Sequence, residues 1–395
     1  MNWQRGLSII LRLHINHAKR RNSPRLAVRT YTMESSKHPE VKRVLVTGAS
    51  GYVATGIVND LLNKGYLVRG TVRSLKNPGK VKPLKSMAEG KPGKLELVEA
   101  DLMKPETWKS AVSGCSHVLH TASPFPFVQP KNAEEVIRPA VDGTISVLEA
   151  CKQDGNIKRV VVTSSIAAVG MNHTTKPLNE NDWSDPSHGG AEAEPYCISK
   201  LMAEKAAFEY VEKLSDKDKF EICTVLPGYV IGPTLTDQVS TSLDIIKRVM
   251  VGGDLMVPDV SFTFVDIRDV VDAHVQCMTS PKAPGERYLI VDKILGYSEV
   301  CKILSDEFYP QGYSIYTRIA PRFLISLMSL FDNTAKTMNI IWGVICEYDN
   351  TKLKTELGIK PRDTRKGVVD MAYSLIDNGY IEKKAQYKGR SSDKQ

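Results

Sequence analysis

A chain of 395 residues, 42% hydrophobic and 25% charged, is long enough to bury a sizeable core, which excludes a wholly disordered protein. Of its net charge of +8, all but one unit sits before residue 34, where Arg5, Arg12, Lys19, Arg20, Arg21, Arg25 and Arg29 occur with no Asp or Glu, so the nearly neutral remainder offers no basis for nucleic-acid binding. Seven scattered cysteines, an odd number without a Cys-x-x-Cys pair, exclude a disulfide framework and a zinc site and suit a reducing compartment.

Residues 1–40 form a leader whose first 33 residues are Arg-rich and free of Asp and Glu, with Leu7, Ile9, Ile10, Leu11, Leu13 and Ile15 among the cations. This pattern fits a mitochondrial targeting segment, expected to be disordered, whereas Arg12 breaks the run that a secretory signal needs. The alternative is a leader bypassed by starting at Met33, which would leave the protein in the cytoplasm. Next comes the stretch RVLVTGASGYVATGIVNDLLNKGYLVRGTVRS, residues 43–74. Its β-branched opening stops at Gly48-Ala49-Ser50-Gly51. Val53, Ile57, Val58, Leu61 and Leu62 then recur at helical spacing until Gly65, and residues 67–72 read as a second strand.

A strand, glycine turn, helix and strand place backbone N–H groups and the positive end of a helix at the carboxyl edge of a parallel sheet, where a diphosphate can bind. Gly48 permits the turn, Gly51 lets phosphates approach, and Ala54 keeps the helix close to the strand. The spacing is Gly-x-x-Gly-x-x-Ala rather than Gly-x-Gly-x-x-Gly. Where enzymes that prefer NAD carry an acid at the end of the second strand, this chain has Arg73, with Lys76 and Lys80 following, and these cations favour the 2′-phosphate of NADP(H).

Residues 95–101 and 117–122 read as further strands; Asp101 and Leu102 would flank an adenine, and Thr121 and Ala122 would face the cofactor. Pro124 and Pro126 stop the second of these strands, leaving Phe125 and Phe127 either to line a substrate pocket or to cover the core. A helix over 133–152 leads to the β-branched run 158–165, of the kind buried on both faces of a parallel sheet. Pro195 suits the first turn of a helix that carries Tyr196 and Lys200. Residues 221–226 and 287–291 add strands. Six or seven parallel strands alternating with helices give an α/β fold, a Rossmann-like doubly wound parallel sheet with a smaller, mostly helical substrate lobe.

The expected division is an NADP-binding domain over 41–232, to which 262–295 returns, a substrate lobe from 233–261 and 296–382, and a flexible tail over 383–395. Residues 320–348 and 364–379 carry helical apolar spacing. Within the first, the apolar runs 323–331 and 340–346 are separated by Asp332, Asn333 and Lys336, so buried helices are expected rather than a membrane span.

Tyr196 and Lys200 are four apart and share one helix face. Lowering a phenol from its usual value by about 2 units takes roughly 2.7 kcal/mol, which a nearby ammonium and an oxidised nicotinamide can supply. Tyr196 would protonate a substrate oxygen as hydride arrives, Lys200 would also bond the nicotinamide ribose, and Ser165 would hold the carbonyl and its developing charge. Order along the chain strengthens the reading: a glycine turn, then Ser-Ser closing a strand, then Tyr-x-x-x-Lys opening a helix.

With VTGASGYVA, VRGTVRS, HTASPF, VIRPAVDGTISVLEAC, VVVTSSIAAVG, PYCISKLMAEKAA, LPGYVIGP and FVDIRDVVDAH, the chain resembles the extended short-chain dehydrogenase/reductases over about residues 42–380. Within them it is similar to the dihydroflavonol reductases, cinnamoyl-CoA reductases and fungal carbonyl reductases. The resemblance implies an NADP-dependent oxidoreductase with Ser165, Tyr196 and Lys200 as catalytic residues. It also implies a cofactor site of Gly48, Ser50, Gly51, Tyr52, Arg73, Lys80, Asp101, Leu102, Thr121, Ala122, Tyr196, Lys200, Pro227 and Val230, with no metal. The expected partner is a small carbonyl or alcohol. Dihydroflavonol reductases place an Asn where this chain has Gly170, which counts against flavonoid chemistry. An epimerase or hydroxysteroid-type dehydrogenase, and a protein that senses NADP(H) without turnover, are the alternatives; oligomeric state is not encoded in any motif.

Overall fold

The computed structural model describes residues 43–123, 132–236, 241–253 and 255–390. The expected leader, together with Phe125 and Phe127, lies outside the described residues. Seven strands, β1 (Arg43–Val46), β2 (Leu67–Val72), β3 (Lys94–Glu99), β4 (His117–His120), β5 (Arg159–Thr163), β6 (Glu221–Pro227) and the later Arg287–Ile290, make one sheet in which every pairing is parallel. The order runs β3-β2-β1-β4-β5-β6 and then Arg287–Ile290. The first and fourth strands are therefore neighbours at the point where the winding reverses, and their carboxyl ends open a crevice suited to a ligand.

Period-two alternation decides what each face buries. Val44 and Val46 point to one side with α1 (Tyr52–Asn63), α2 (Pro78–Ala88) and a later helix, Ile267–Thr279. Leu45 points to the other, packed with α3 (Trp108–Val112), α4 (Glu134–Asp154) and α5 (Pro195–Glu212). Helix α1 buries Ile57, Val58, Leu61 and Leu62 as its spacing requires, and Gly65 follows its end with φ +84°.

A second sheet was not foreseen. It joins β7 (Tyr229–Ile231), β8 (Ser261–Asp266) and, past α6 (Thr241–Met250), α7 (Ile267–Thr279) and β9 (Arg287–Ile290), β10 (Lys293–Gly296). β7 and β8 are parallel, β8 and β10 antiparallel. Gly228 alone separates β6 from β7; a Cβ there would lie 2.4 Å from the Thr263 carbonyl oxygen, so only glycine lets the chain step from one sheet to the other at this approach. The small sheet, α6, α8 (Tyr297–Phe308) and α12 (Thr364–Asp377) enclose a second core around Phe264, Phe308, Tyr313 and Met371.

Two expectations need correction. Residues 320–348 hold α9 (Arg322–Met328) and α10 (Asn333–Ile340), and then an extended stretch whose Tyr348 bridges Leu178. Helix α9 packs on α10 and buries Ile325, while Phe323, Leu327, Met328, Leu330 and Phe331 on and after it meet no described element that covers them and stay exposed. No helix among the described residues is long and apolar enough to cross a membrane. Beyond α11 (Thr351–Glu356) and α12, the part of the tail described here is held rather than loose: the Tyr387 hydroxyl bonds Asp377, and its ring meets Tyr313 and Tyr373.

Candidate active site

The turn after β1 is shaped by Gly48, at φ +63°, whose N–H donates to Thr71 Oγ1 at 2.9 Å, while the Gly51 N–H donates to the Gly48 carbonyl at 2.8 Å. A Cβ at Gly48 would lie 3.2 Å from that of Ala122, so the close approach of the first and fourth strand ends needs a bare backbone. Gly51 is the N-cap of α1 and brings no side-chain acceptor, which leaves the first N–H groups of the helix directed at whatever sits before it. Ser50 is half-buried in the turn. The Tyr52 side chain turns away: its hydroxyl donates to the Gly232 carbonyl at 2.7 Å, and burial together with Asp266 pushes it above the usual phenol range.

Arg73 is exposed at the carboxyl end of β2, and Lys80 lies half-buried in the first turn of α2. Asp101 Oδ1 accepts from the Met103 N–H at 3.0 Å, and Leu102 packs over Gly143 of α4, where an added Cβ would come within 3.0 Å of it. Pro227 ends β6, and Val230 of β7 places its side chain in the core shared with α1 and α7.

Thr47, which sequence reasoning treated only as a strand end, organises the fourth strand's exit. Its hydroxyl accepts from the Thr121 and Ala122 N–H groups at 3.0 and 2.9 Å and so donates to His120 Nδ1, 3.0 Å away. His120 is thus a neutral ring protonated on Nε2; burial, with the Lys200 charge added, pulls it down to about 3.

Ser165 and Tyr196 meet, and Lys200 shares the helix of Tyr196. Ser165 follows β5, caps a short turn by accepting from the Ala167 N–H at 3.2 Å, and hydrogen-bonds the Tyr196 hydroxyl. Lys200, one helical turn on, is buried and donates to the Thr163 carbonyl at 3.4 Å. Burial dominates the electrostatics: it pushes Tyr196 up to about 12 against the pull of Ser165, and brings Lys200 down to about 8 against the pull of Glu204. The expectation that Lys200 lowers the phenol is not what the protein groups alone produce. Thr163 is fixed in turn by His274, whose Nε2 accepts from Thr163 Oγ1 at 2.7 Å while Nδ1 donates to the Val270 carbonyl at 2.7 Å.

The position expected to distinguish flavonoid reductases, Gly170, is closed off. A Cβ there would stand 2.5 Å from Leu178 Cδ1, and the Gly170 carbonyl accepts from the Tyr348 hydroxyl and from Cys346 Sγ at 3.6 Å. Thr47, His120, Thr163, His274 and Tyr348 were missed because each acts through a partner far along the chain. The motif FVDIRDVVDAH does contain His274, but not the reason for it.

Residues 44–290 match the NAD dependent epimerase/dehydratase family. The chain is 38% identical over 271 residues to cinnamoyl-CoA reductase CAD2 of Medicago truncatula, an alignment covering 68% of this chain and 81% of the relative. It is 33% identical over 348 residues to cinnamoyl-CoA reductase 1 of Arabidopsis thaliana, covering 87% and 92%. Among solved structures, the yeast methylglyoxal/isovaleraldehyde reductase Gre2 complexed with NADPH superposes with a TM-score of 0.70 at 29% identity, over 86% of this chain and 100% of that one.

Proposed function

From the premise that the chain belongs to the NAD dependent epimerase/dehydratase family and is an NAD(P)-dependent oxidoreductase of the extended short-chain dehydrogenase/reductase type, we propose that it reduces a ketone or aldehyde with NADPH. Alcohol oxidation uses the same groups in reverse. The observation that carries the proposal is the Ser165–Tyr196 hydrogen bond with Lys200 buried one turn further along α5. Relatives named for the reduction of acyl-CoA thioesters and small aldehydes support a carbonyl substrate.

The residues present fit the dinucleotide. The turn shaped by Gly48 and Gly51, with Ser50 and the Tyr52 N–H at the start of α1, would leave room and donors for a diphosphate there. Arg73 and Lys80 would suit a 2′-phosphate, Asp101 and Leu102 would flank the adenine, and Thr121, Ala122, Pro227 and Val230 would border the path to the reacting end. When bound, the reduced nicotinamide supplies the hydride. The Ser165 hydroxyl holds the substrate oxygen, Tyr196 passes it a proton, and the Lys200 ammonium stabilises the phenolate left behind and grips the ribose. The lobe of 233–261 and 296–382, built on the small sheet and its helices, covers the reacting end and selects the substrate. The Arg-rich leader directs the protein to mitochondria. Arg73, in place of an acid, disfavours the epimerase reading.

NADPH oxidation by the purified chain across aldehydes, diketones, ketosteroids and hydroxyketones tests this. Turnover is expected with at least one class, and Tyr196→Phe is expected to lower kcat by on the order of 10²–10⁴ with NADPH binding retained. No NADPH consumption, or a Tyr196→Phe variant of undiminished rate, removes the proposal.

A further inference from the structure

We infer that Glu204 and Arg287 form a buried positioning pair for Ser165, Tyr196 and Lys200, and that the Glu204 carboxylate is the counter-charge that keeps Lys200 an ammonium. This rests on the catalytic reading just given. Glu204 lies on α5 one turn beyond Lys200 and two beyond Tyr196, so the three share a face. It is 1% exposed, and both its oxygens are fully engaged. Oε1 accepts from Thr224 Oγ1 at 2.7 Å and Arg287 Nε at 2.9 Å; Oε2 accepts from Ser164 Oγ at 2.6 Å and Arg287 Nη2 at 3.4 Å. One carboxylate thereby ties the catalytic helix to the end of β5, immediately before Ser165, and to β6 and β9.

Arg287 extends the clamp to the segment that leads into α5. Its Nη1 donates to the carbonyls of Glu180 and Asp182 at 2.6 and 2.8 Å, and its guanidinium stacks 3.6 Å from the Trp183 ring centre. Both approaches to the Ser165–Tyr196 contact, through β5 and through residues 180–183, are held by the same ion pair. A buried pair of this kind adds little net stability over apolar packing of the same volume, because desolvation offsets the attraction, whereas removing one partner is costly. Stability therefore does not account for placing it under the catalytic helix.

The placement beside Lys200 does. The groups around Lys200 are Glu204 from its own helix, neutral His120 from β4, and the Thr163 carbonyl and Ser164 from β5 and its end, with Tyr196 one turn earlier on α5. Among these described groups Glu204 is the sole anion. Lys200, Glu204, His120, Thr163 and Ser164 line one cavity of ≈ 10 Å³, room for about one water, and both Lys200 and Glu204 are buried, which strengthens the attraction between carboxylate and ammonium.

The test uses the full chain with NADPH and two variants. Glu204→Gln/Arg287→Gln removes both charges together and strands neither. Its expected behaviour is a basic limb of kcat/KM moved to lower pH by about one unit and a kcat reduced on the order of 10–100-fold. Arg287→Lys keeps the charge balance but loses the fork, so kcat falls while the limb stays in place. A limb unmoved in the double variant overturns the counter-charge. Should the double variant not fold, Arg287→Lys decides: a lowered Tm with kcat intact overturns the positioning role. Tyr196→Phe assayed alongside separates the two proposals, since a fully active Tyr196→Phe removes the catalytic reading itself, whereas an inactive one leaves that reading standing whatever the pair does.

Discussion

Lys200 sits where its charge is expensive, and that makes its protonation visible in the physiological range. With burial bringing the ammonium down to about 8, the form proposed to support Tyr196 is lost as pH rises through that value. The reduction rate, measured as kcat/KM of the free enzyme, is expected to fall above about pH 8. Lys200→Arg is expected to lower kcat but abolish that limb, since a guanidinium does not titrate there. At the other end of the cofactor site, Arg73→Glu replaces a cation with an anion beside the expected 2′-phosphate. The loss of one charge-assisted bond predicts NADPH affinity reduced on the order of 10–100-fold, with NADH little affected, when both are titrated by fluorescence quenching. Arg73, Tyr196 and Lys200 could be singled out from sequence because each stands at a fixed offset from a strand end or a helix start.

The β1–α1 unit shows how far local chemistry reaches. Its strand, positive-φ glycine, uncapped helix start and closing Gly65 all follow from residues adjacent in the chain. The step at Gly228 and the wall at Gly170 do not. Gly228 is required by a backbone from β8, and Gly170 by Leu178 and the extended stretch ending at Tyr348, which the apolar spacing of 320–348 had suggested was helical. Gly170→Asn is expected to destabilise by about 1–3 kcal/mol through overpacking against Leu178, seen as a lowered Tm with NADPH binding preserved. A Tm unchanged by this substitution would show that Leu178 yields freely and that the wall is soft.

Taken together, the two cores and the sheet between helices place several titratable groups far from water, and this gives the molecule a pH response of its own. His120 and His274 are both buried as neutral rings, brought to about 3 and about 4 by desolvation. Between the ordinary value of 6.5 and those lowered values the unfolded chain binds protons that the folded chain refuses, so stability falls as pH falls through that window. Each ring is expected to cost on the order of 2 kcal/mol at pH 5 relative to neutrality. Thermal melts at pH 7 and 5 check this, and His274→Gln, which can still donate to Val270 and accept from Thr163, is expected to flatten the dependence.

Patterns carried by neighbouring residues were enough to establish the parallel α/β architecture and the glycine turn, and to single out Ser165, Tyr196 and Lys200 as candidates, because turn conformation, side-chain alternation and helical spacing are properties of short stretches. The small sheet, the exposed apolar face of α9, the Thr47–His120 contact 73 residues apart and the Glu204–Arg287 pair 83 residues apart came only from the folded chain. They depend on which distant segments are pressed together, and the free energy that presses them is a sum over the entire core that no single stretch encodes.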